Sequence, residues 1–147
     1  MKEFKGRVLF PGTFKGEAVV SHQGLNTLAS FQTSALLPTS KKNIVGDQNN
    51  PDLYKKNITN KALCLPQTIG STTGGMVIQT VAVRNLAPKV WLFSESIDPL
   101  AASGIILSNV WNDVGLIAID RLGEEFLFTV KTGDQIEVKE DGTVIIY

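Results

Sequence analysis

Short apolar runs of strand length recur along the chain and predict a sheet-rich core. The first two runs, residues 7–10 and 17–20, are separated by Pro-Gly and Lys-Gly turn signals. Residues 62–65 and 90–93 are almost continuously apolar, which is typical of strands covered on both faces. Later runs that predict further strands lie at residues 105–107, 116–119, 135–138 and 143–146.

Helical spacing appears only between the central strands. Apolar residues recur every three or four positions over residues 73–86, and a proline soon afterwards ends that pattern. A second, short helix is predicted to begin with Asp98 as its N-cap and Pro99 at its first position, and to end at Gly104. The last two runs bracket Lys-Glu-Asp-Gly, which predicts a hairpin with a type I′ turn.

The segment from residue 21 to residue 60 has a different character. It is rich in Thr, Ser, Asn, Gln and Lys, and two prolines interrupt its few apolar residues. We expect a long excursion with short elements, which in a compact domain either carries function or covers a partner surface. Strands at both ends and strand–helix units between them predict one α/β domain over residues 1–147, with a mixed sheet or partly closed barrel and a few flanking helices.

Charge and targeting signals exclude several functional classes. Fourteen basic and fourteen acidic side chains give no net charge, so neither a nucleic-acid surface nor an attraction to anionic membranes is indicated. No apolar stretch approaches the roughly 20 residues of a membrane helix, and the first residues lack the apolar region of a signal peptide. We therefore expect a cytoplasmic protein.

Metal-binding residue types are scarce. Cys64 is the only cysteine, so the chain alone cannot form a disulfide or supply the several thiolates of an iron–sulfur cluster. The solitary His22 has no companion ligands and is expected at the surface or in a cap. The sequence thus predicts no metal or cofactor bound by this chain, and any cluster would lie on a partner.

The loop around Ser71 is the strongest candidate site. The buried run at residues 62–65 breaks into Gly70-Ser71-Thr72, and the predicted helix follows. Amides at a helix N-terminus have no intrahelical partners, and the helix dipole is positive there, so the turn can hold an anion or a polarised hydroxyl. From the residues alone, a purely structural N-cap is the better explanation of Ser71, because serine is a preferred capping residue.

Several short segments occur in a fixed order along the chain. They are Gly12–Ser21, Asn60–Leu63, Pro66, Gly70–Gly75, Ala87-Pro88, Asp98–Leu100, Gly104–Ile106 and Gly133-Asp134. This ordered set resembles the small subunit of aconitase X over most of the chain. The resemblance implies a swivelling β/β/α domain of an aconitase-type hydro-lyase, whose larger, separate subunit carries the iron–sulfur centre.

The resemblance also implies residue roles. Ser71 would be the catalytic base, acting as an alkoxide. Gly70, Thr72, Thr73, Gly74 and Gly75 would bind the carboxylate or phosphate of a small hydroxy acid, either a hydroxyproline or phosphomevalonate. Two positions depart from the family: Ile69 stands where Arg or Lys is common, which disfavours a phosphorylated substrate, and Gly75 stands where serine is frequent. The alternative is a non-catalytic anion-binding or protein-interaction module on the same fold.

Overall fold

The computed structural model describes residues 1–147, which form ten strands, four α-helices and one π-helical segment. The strands are β1 (Lys2–Lys5), β2 (Arg7–Phe10), β3 (Phe14–Val20), β4 (Leu25–Asn26), β5 (Ala62–Leu65), β6 (Thr68–Ile69), β7 (Val90–Phe93), β8 (Ile117–Asp120), β9 (Gln135–Val138) and β10 (Thr143–Ile146). The helices are α1 (Thr27–Leu36), α2 (Gly74–Val83), α3 (Pro99–Ile106) and α4 (Glu124–Thr129), and the π-helical segment Leu107–Trp111 continues α3. No helix has the length and apolar character required to span a bilayer.

Eight of the strands form one mixed sheet in the order β1-β10-β9-β3-β5-β7-β8-β2. The four strands β3, β5, β7 and β8 run parallel, because strand–turn–helix connections return the chain to the same end of the sheet. The outer strands pair antiparallel, as hairpins and edge strands do. The sheet curls into a nearly closed barrel, which confirms the α/β fold with a mixed, partly closed sheet predicted from the sequence.

Gly6 joins the two edges of this sheet. Strand β1 pairs only with β10 and strand β2 pairs only with β8, although a single residue separates β1 from β2 in the chain. The Gly6 amide donates to the carbonyl of Gly142 at 3.2 Å, and a Cβ at Gly6 would lie 2.7 Å from the Ile119 side chain. A residue without a side chain therefore allows the N-terminal segment to pass from one edge to the other.

Two apolar clusters flank the parallel strands, because alternate residues of a strand point to opposite faces. One cluster packs the outer face of the strands against α1, α2 and α3, and it includes Phe31, Trp91 and Phe93. The other fills the barrel interior and is covered by α4 through Phe126. The three long helices consequently lie on one side of the sheet, where they position the loop that contains Ser71.

The sequence predicted a short helix that ends at Gly104 and a further strand at residues 105–107, and the prediction of that strand is wrong. The residues at 105–107 are helical, since α3 continues through Gly104 to Ile106 and then into the π-helical segment. Gly104 lies inside the helix, and glycine is required there because a Cβ would be 2.8 Å from both the Gly75 carbonyl oxygen and the Ile78 Cβ. Close packing of α3 on α2, and not a helix end, accounts for this glycine.

The C-terminal hairpin is confirmed, but its turn is not type I′. The Gly142 amide donates to the Lys139 carbonyl, and the Lys139 amide donates to the Thr143 carbonyl. Only Gly142 has a positive φ, of 92°, whereas a type I′ turn needs two such residues. The loop therefore has three residues, Glu140, Asp141 and Gly142, in a type I turn followed by a glycine bulge.

An ion pair between the buried Asp120 and the partly exposed Arg7 fixes the end of β8. The Asp120 carboxylate has no exposed surface and accepts from Arg7 Nε at 2.9 Å, from Arg7 Nη2 at 2.6 Å and from the Ile97 amide at 2.8 Å. Burial alone would raise the pKa of Asp120, but the hydrogen bonds from Arg7 and Ile97 outweigh it and hold the pKa below its ordinary value. Folding is therefore stabilised when Asp120 is ionised.

We expect the Asp120→Asn variant to be less stable than the wild type at pH 7, and the difference to shrink in acid. A carboxyl group whose pKa is lowered by folding contributes stability above its unfolded pKa of about 3.9 and loses it as the pH falls through the lower folded pKa. Urea unfolding of both proteins between pH 7 and pH 3 measures this difference. A difference that stayed constant over that range would contradict the assignment.

Candidate active site

The loop that contains Ser71 is tied to the start of α1. After β5 the chain forms β6, which pairs in parallel with β4, so that Leu25 lies beside Thr68 and Asn26 beside Ile69. Strand β4 leads directly into α1, and β6 leads through the loop into α2. This small parallel ladder therefore places the N-termini of α1 and α2 next to each other.

Gly70 makes the turn out of β6. Its φ of 110° lies in the region that favours glycine, and a Cβ there would be 2.9 Å from the Oδ1 atom of Asn26. That Asn26 oxygen is already engaged as the N-cap of α1, where it accepts from the Ala29 amide at 3.0 Å. Both the conformation and the close approach of Asn26 thus require glycine at position 70.

Ser71 is exposed, and its hydroxyl lies beside two polar groups of Thr73, the backbone amide and the side-chain hydroxyl. The Ser71 Oγ accepts from the Thr73 amide at 3.2 Å and lies 2.9 Å from the Thr73 hydroxyl oxygen. The Ser71 carbonyl accepts from the Gly74 amide at 2.9 Å. These bonds form a serine turn just before α2, so Ser71 is not the N-cap, which is Thr73 without a side-chain cap hydrogen bond. The Thr73 amide would stabilise a negative charge on the Ser71 oxygen.

The structure divides the six predicted site residues into two groups. Gly70, Ser71, Thr72 and Thr73 are exposed around the turn, whereas Gly74 and Gly75 are buried. A Cβ at Gly74 would be 2.6 Å from the Thr27 hydroxyl of α1, and a Cβ at Gly75 would be 3.2 Å from the Gly104 amide of α3. The two glycines thus allow α2 to pack closely between α1 and α3, and a contact of their amides with substrate stays a prediction.

Asp98 holds the loop from the side of α3. Its carboxylate accepts from the Ala101 amide at 3.0 Å, which confirms the N-cap predicted for α3. It also accepts from the Thr68 amide at 2.7 Å and from the Thr68 hydroxyl at 2.5 Å. The N-termini of three helices therefore meet around one short strand, β6, and the sequence analysis did not foresee this second role of Asp98.

We expect Asp98→Ala to destabilise the fold by about 1 kcal/mol or more, because the substitution removes an N-cap and two acceptors of Thr68. Urea unfolding at neutral pH measures the loss. Thr68→Val, which removes only the hydroxyl donor, is expected to have a smaller effect. Equal stability of Asp98→Ala and the wild type would contradict the role of this carboxylate.

The chain places no basic side chain in the loop. Ile69 stands there half-exposed. Arg84, at the other end of α2 and about 15 Å away along a ten-residue helix, donates to the carbonyls of Ser34 and Leu37 at the end of α1. Lys61 pairs with Glu17 at 3.4 Å. Any positive charge that meets an anionic substrate must therefore come from helix N-termini or from another chain.

The residues of this chain do not fit an iron–sulfur cluster. Cys64 is fully buried among apolar residues of the barrel interior, and burial raises the pKa of its thiol, so that a thiolate ligand is disfavoured. His22 is held by Asp52 at 3.0 Å from its Nδ1, and no three His, Cys, Asp or Glu side chains are arranged to hold a metal ion. Where a cluster lies in an assembly stays a prediction.

The surroundings of Ser71 are open. Thr73 lies at the rim of a shallow groove between α1 and α2 whose lining is mainly apolar, and Ser71 lines none of the cavities of the chain. Trp91 is fully buried, as a core residue should be, whereas Trp111 is 77% exposed. The chain alone therefore presents the Ser71 loop on an open surface and does not enclose it in a pocket.

Comparison with known proteins agrees with this architecture. The phosphomevalonate dehydratase small subunit of Methanocaldococcus jannaschii is 28% identical over 143 residues, which cover 97% of this chain and 95% of the relative. The protein of the same name from Methanothermobacter thermautotrophicus is 29% identical over 135 residues, which cover 92% of both chains. These relatives fit the dehydratase small subunit predicted from the sequence.

The solved structures give the same result. The crystal structure of Thermococcus kodakaraensis aconitase X in its holo-form superposes with a TM-score of 0.82 at 28% identity, covering 100% of this chain and 99% of the other. A family model described as the aconitase X swivel domain matches residues 3–146. The family predicted from the sequence is confirmed, and the chain belongs to the aconitase X swivel domain family.

Proposed function

We propose that this chain is the small subunit of a two-subunit hydro-lyase and that Ser71 is the base that removes a proton from a small hydroxy acid. The observation that supports the proposal is the position of the Ser71 oxygen, which is exposed at the start of α2 and within 3.2 Å of both the amide and the hydroxyl of Thr73.

Loss of water from a hydroxy acid needs a base for the proton next to the carboxylate and assistance to the departing hydroxide. An alkoxide on Ser71 would accept the proton, the carbon–carbon double bond would form from the released electron pair, and hydroxide would leave from the neighbouring carbon. An iron–sulfur centre on the larger subunit would supply a Lewis acid for the departing oxygen. The proton on Ser71 and the hydroxide together account for the water released.

The donors around Ser71 explain how a serine could act as a base. A free hydroxyl is a very weak base, so its anion must be stabilised before it can take part. The Thr73 amide donates to the oxygen, and the Thr73 hydroxyl lies within hydrogen-bond distance, where it can donate once Ser71 has lost its proton. The positive end of the α2 dipole adds to their effect. Thr72 and the amides at the start of α2 are the groups left to bind a carboxylate or phosphate.

Relatives named phosphomevalonate dehydratase small subunit make phosphomevalonate the first substrate to test, and a hydroxyproline the second. Because the loop has no basic residue of its own, the larger subunit would have to neutralise most of the substrate charge. Ile69, in a position where the family commonly has a basic residue, would weaken the binding of a phosphate relative to those members.

The experiment is reconstitution with the larger subunit from the same organism. Both chains are co-expressed and purified as a complex, and loss of water from each substrate is followed by mass spectrometry. We expect dehydration by the complex and none by either chain alone. Dehydration by the isolated small chain would contradict the two-subunit proposal, and a stable complex inactive on every hydroxy acid tested would favour a non-catalytic module.

A further inference from the structure

A second feature of interest is a cavity where three parallel strands end, on the side of the sheet that carries α4. His22, Pro66 and Ser94 each stand two positions beyond a rung of paired core residues in β3, β5 and β7. Side chains two positions apart in a strand share a face, so these three residues continue the barrel interior outwards. Together with α4 they line a cavity of about 280 Å³.

Two carboxylates of this cavity have no basic partner. Glu95 and Glu124 both line it and are exposed, and neither takes part in an ion pair or a side-chain hydrogen bond within the chain. The nearest arginine in sequence, Arg121, donates through Nε to the Ser96 hydroxyl at 3.1 Å. No lysine or arginine lines the cavity, so its negative charge is uncompensated.

Ser94 provides an independent indication of a ligand. It is 7% exposed, its backbone is fixed by hydrogen bonds to Leu65 and Gly123, and its hydroxyl has no hydrogen-bond partner in the chain although the residue lines the cavity. The fully buried side-chain atoms that lack a partner belong to Thr27, Ser30 and Asn43, so the Ser94 oxygen is accessible from the cavity and free to bond there. A donor entering the cavity from outside would supply the missing bond.

The remaining walls suit an aliphatic stem. Pro66, Leu127 and Phe128 line the same cavity, and the Phe128 ring is 76% exposed at its rim. His22 is held in place by Asp52, which accepts from the His22 amide at 2.8 Å, so Asp52 is already engaged. Apolar walls that lead to carboxylates and a hydroxyl match the stem and head of a long basic side chain.

We propose that this cavity receives an arginine or lysine side chain of the larger subunit. The inference rests on the proposed function, because that function supplies the partner. The cavity and the Ser71 loop both lie beyond the carboxyl ends of the parallel strands. Strand β5 is followed directly by Pro66, which lines the cavity, and then through β6 by Gly70, which begins the Ser71 loop. A partner that covers the Ser71 loop would therefore also reach this end of the barrel.

The test compares two double variants of equal charge in the reconstituted complex. Glu95→Gln with Glu124→Gln removes the cavity carboxylates, whereas Glu3→Gln with Glu140→Gln removes two exposed carboxylates from β1 and the hairpin, also without ion-pair partners. We expect the cavity variant to raise the dissociation constant of the two subunits about tenfold or more and to weaken its dependence on salt. The matched variant is expected to behave as the wild type.

The outcomes separate this inference from the proposed function. Equal affinity and equal salt dependence of both double variants, with the wild-type complex intact, would overturn the cavity assignment alone. Failure of the wild-type chains to associate at all would overturn the proposed function and this inference together. Since all four glutamates are exposed, the variants are expected to fold, and thermal unfolding of the isolated chains confirms that before the binding measurement.

Discussion

Replacing Ser71 with alanine in the assembled enzyme is expected to lower kcat by about 10³-fold, within the range typical of a positioned general base. The KM should change little, because the amides and hydroxyls that would bind the substrate remain. Steady-state dehydration rates with the preferred substrate measure both constants. Ser103→Ala, on the neighbouring helix α3, is the control, since Ser103 is also exposed but donates only to the Leu100 carbonyl.

The structural role of Ser71 in the turn before α2 needs its own variant. Ser71→Ala should also cost about 1 kcal/mol of stability, since the Thr73 amide loses its acceptor. Asparagine can accept a hydrogen bond from the amide two residues on in the same kind of turn but has no hydroxyl, so Ser71→Asn is expected to restore the stability without restoring turnover. Turnover in the asparagine variant near that of the wild type would show that Ser71 only stabilises the turn and that the base lies elsewhere.

Substitution of Gly104 by alanine should have the largest effect on stability. Alanine favours a helix by about 1 kcal/mol over glycine, but its Cβ would lie 2.8 Å from the Gly75 carbonyl oxygen and 3.1 Å from the Gly75 Cα. These are backbone atoms that cannot rotate away, so α2 and α3 must separate. We expect a net loss of about 2 kcal/mol and a fall in the midpoint of thermal unfolding of about 4–8 °C.

Gly46→Ala is the matched control for that variant. Gly46 is exposed, and a Cβ there would be 3.5 Å from its nearest neighbour, the Ala29 carbonyl oxygen, which is an ordinary contact. Its midpoint should stay within about 2 °C of the wild type. Because separation of α2 from α3 would also move the start of α2, Gly104→Ala is further expected to reduce turnover in the complex. Unchanged stability of Gly104→Ala would contradict the close packing described for these helices.

Apolar runs predicted the strands well because most of them are covered on both faces. The runs at residues 7–10, 90–93 and 143–146 coincide with β2, β7 and β10. The same rule failed for residues 105–107, because a buried helix between a sheet and another helix is as apolar as a strand. Gly104 was interpreted as a helix end, and only the position of α2 reveals why glycine is needed there.

Helix α1 escaped prediction because its composition is typical of a loop. Threonine, serine and glutamine fill most of its sequence, and its apolar contacts come mainly from Phe31. The sequence signal that could have predicted α1 is Asn26, an N-cap residue that precedes Leu28 and Phe31, which are three positions apart as on one face of a helix. Strand β1 was missed for a related reason, because it is an exposed edge strand with polar residues on one face.

The Ser71 loop could be found from the sequence, but its surroundings could not. The glycine before the serine and the helix after it are local features, and the structure has both. The pairing of β4 with β6 and the bonds from Thr68 to Asp98 join residues far apart in the chain. Such contacts depend on how helices pack on the sheet, which no local pattern of residues records.

Because the chain passes from one edge of the sheet to the other at Gly6, its first ten residues hold both ends of the barrel together. Strand β1 pairs with one edge of β10, and β2 pairs with one edge of β8. A chain shortened to begin after residue 10 would therefore leave the backbone groups on these edges of β10 and β8 unpaired. Unpaired strand edges are templates for pairing with other molecules. Proteolytic trimming at this end would therefore replace the edge strands β1 and β2 by the fully buried, mostly apolar strands β10 and β8, whose unpaired edges favour polymerisation.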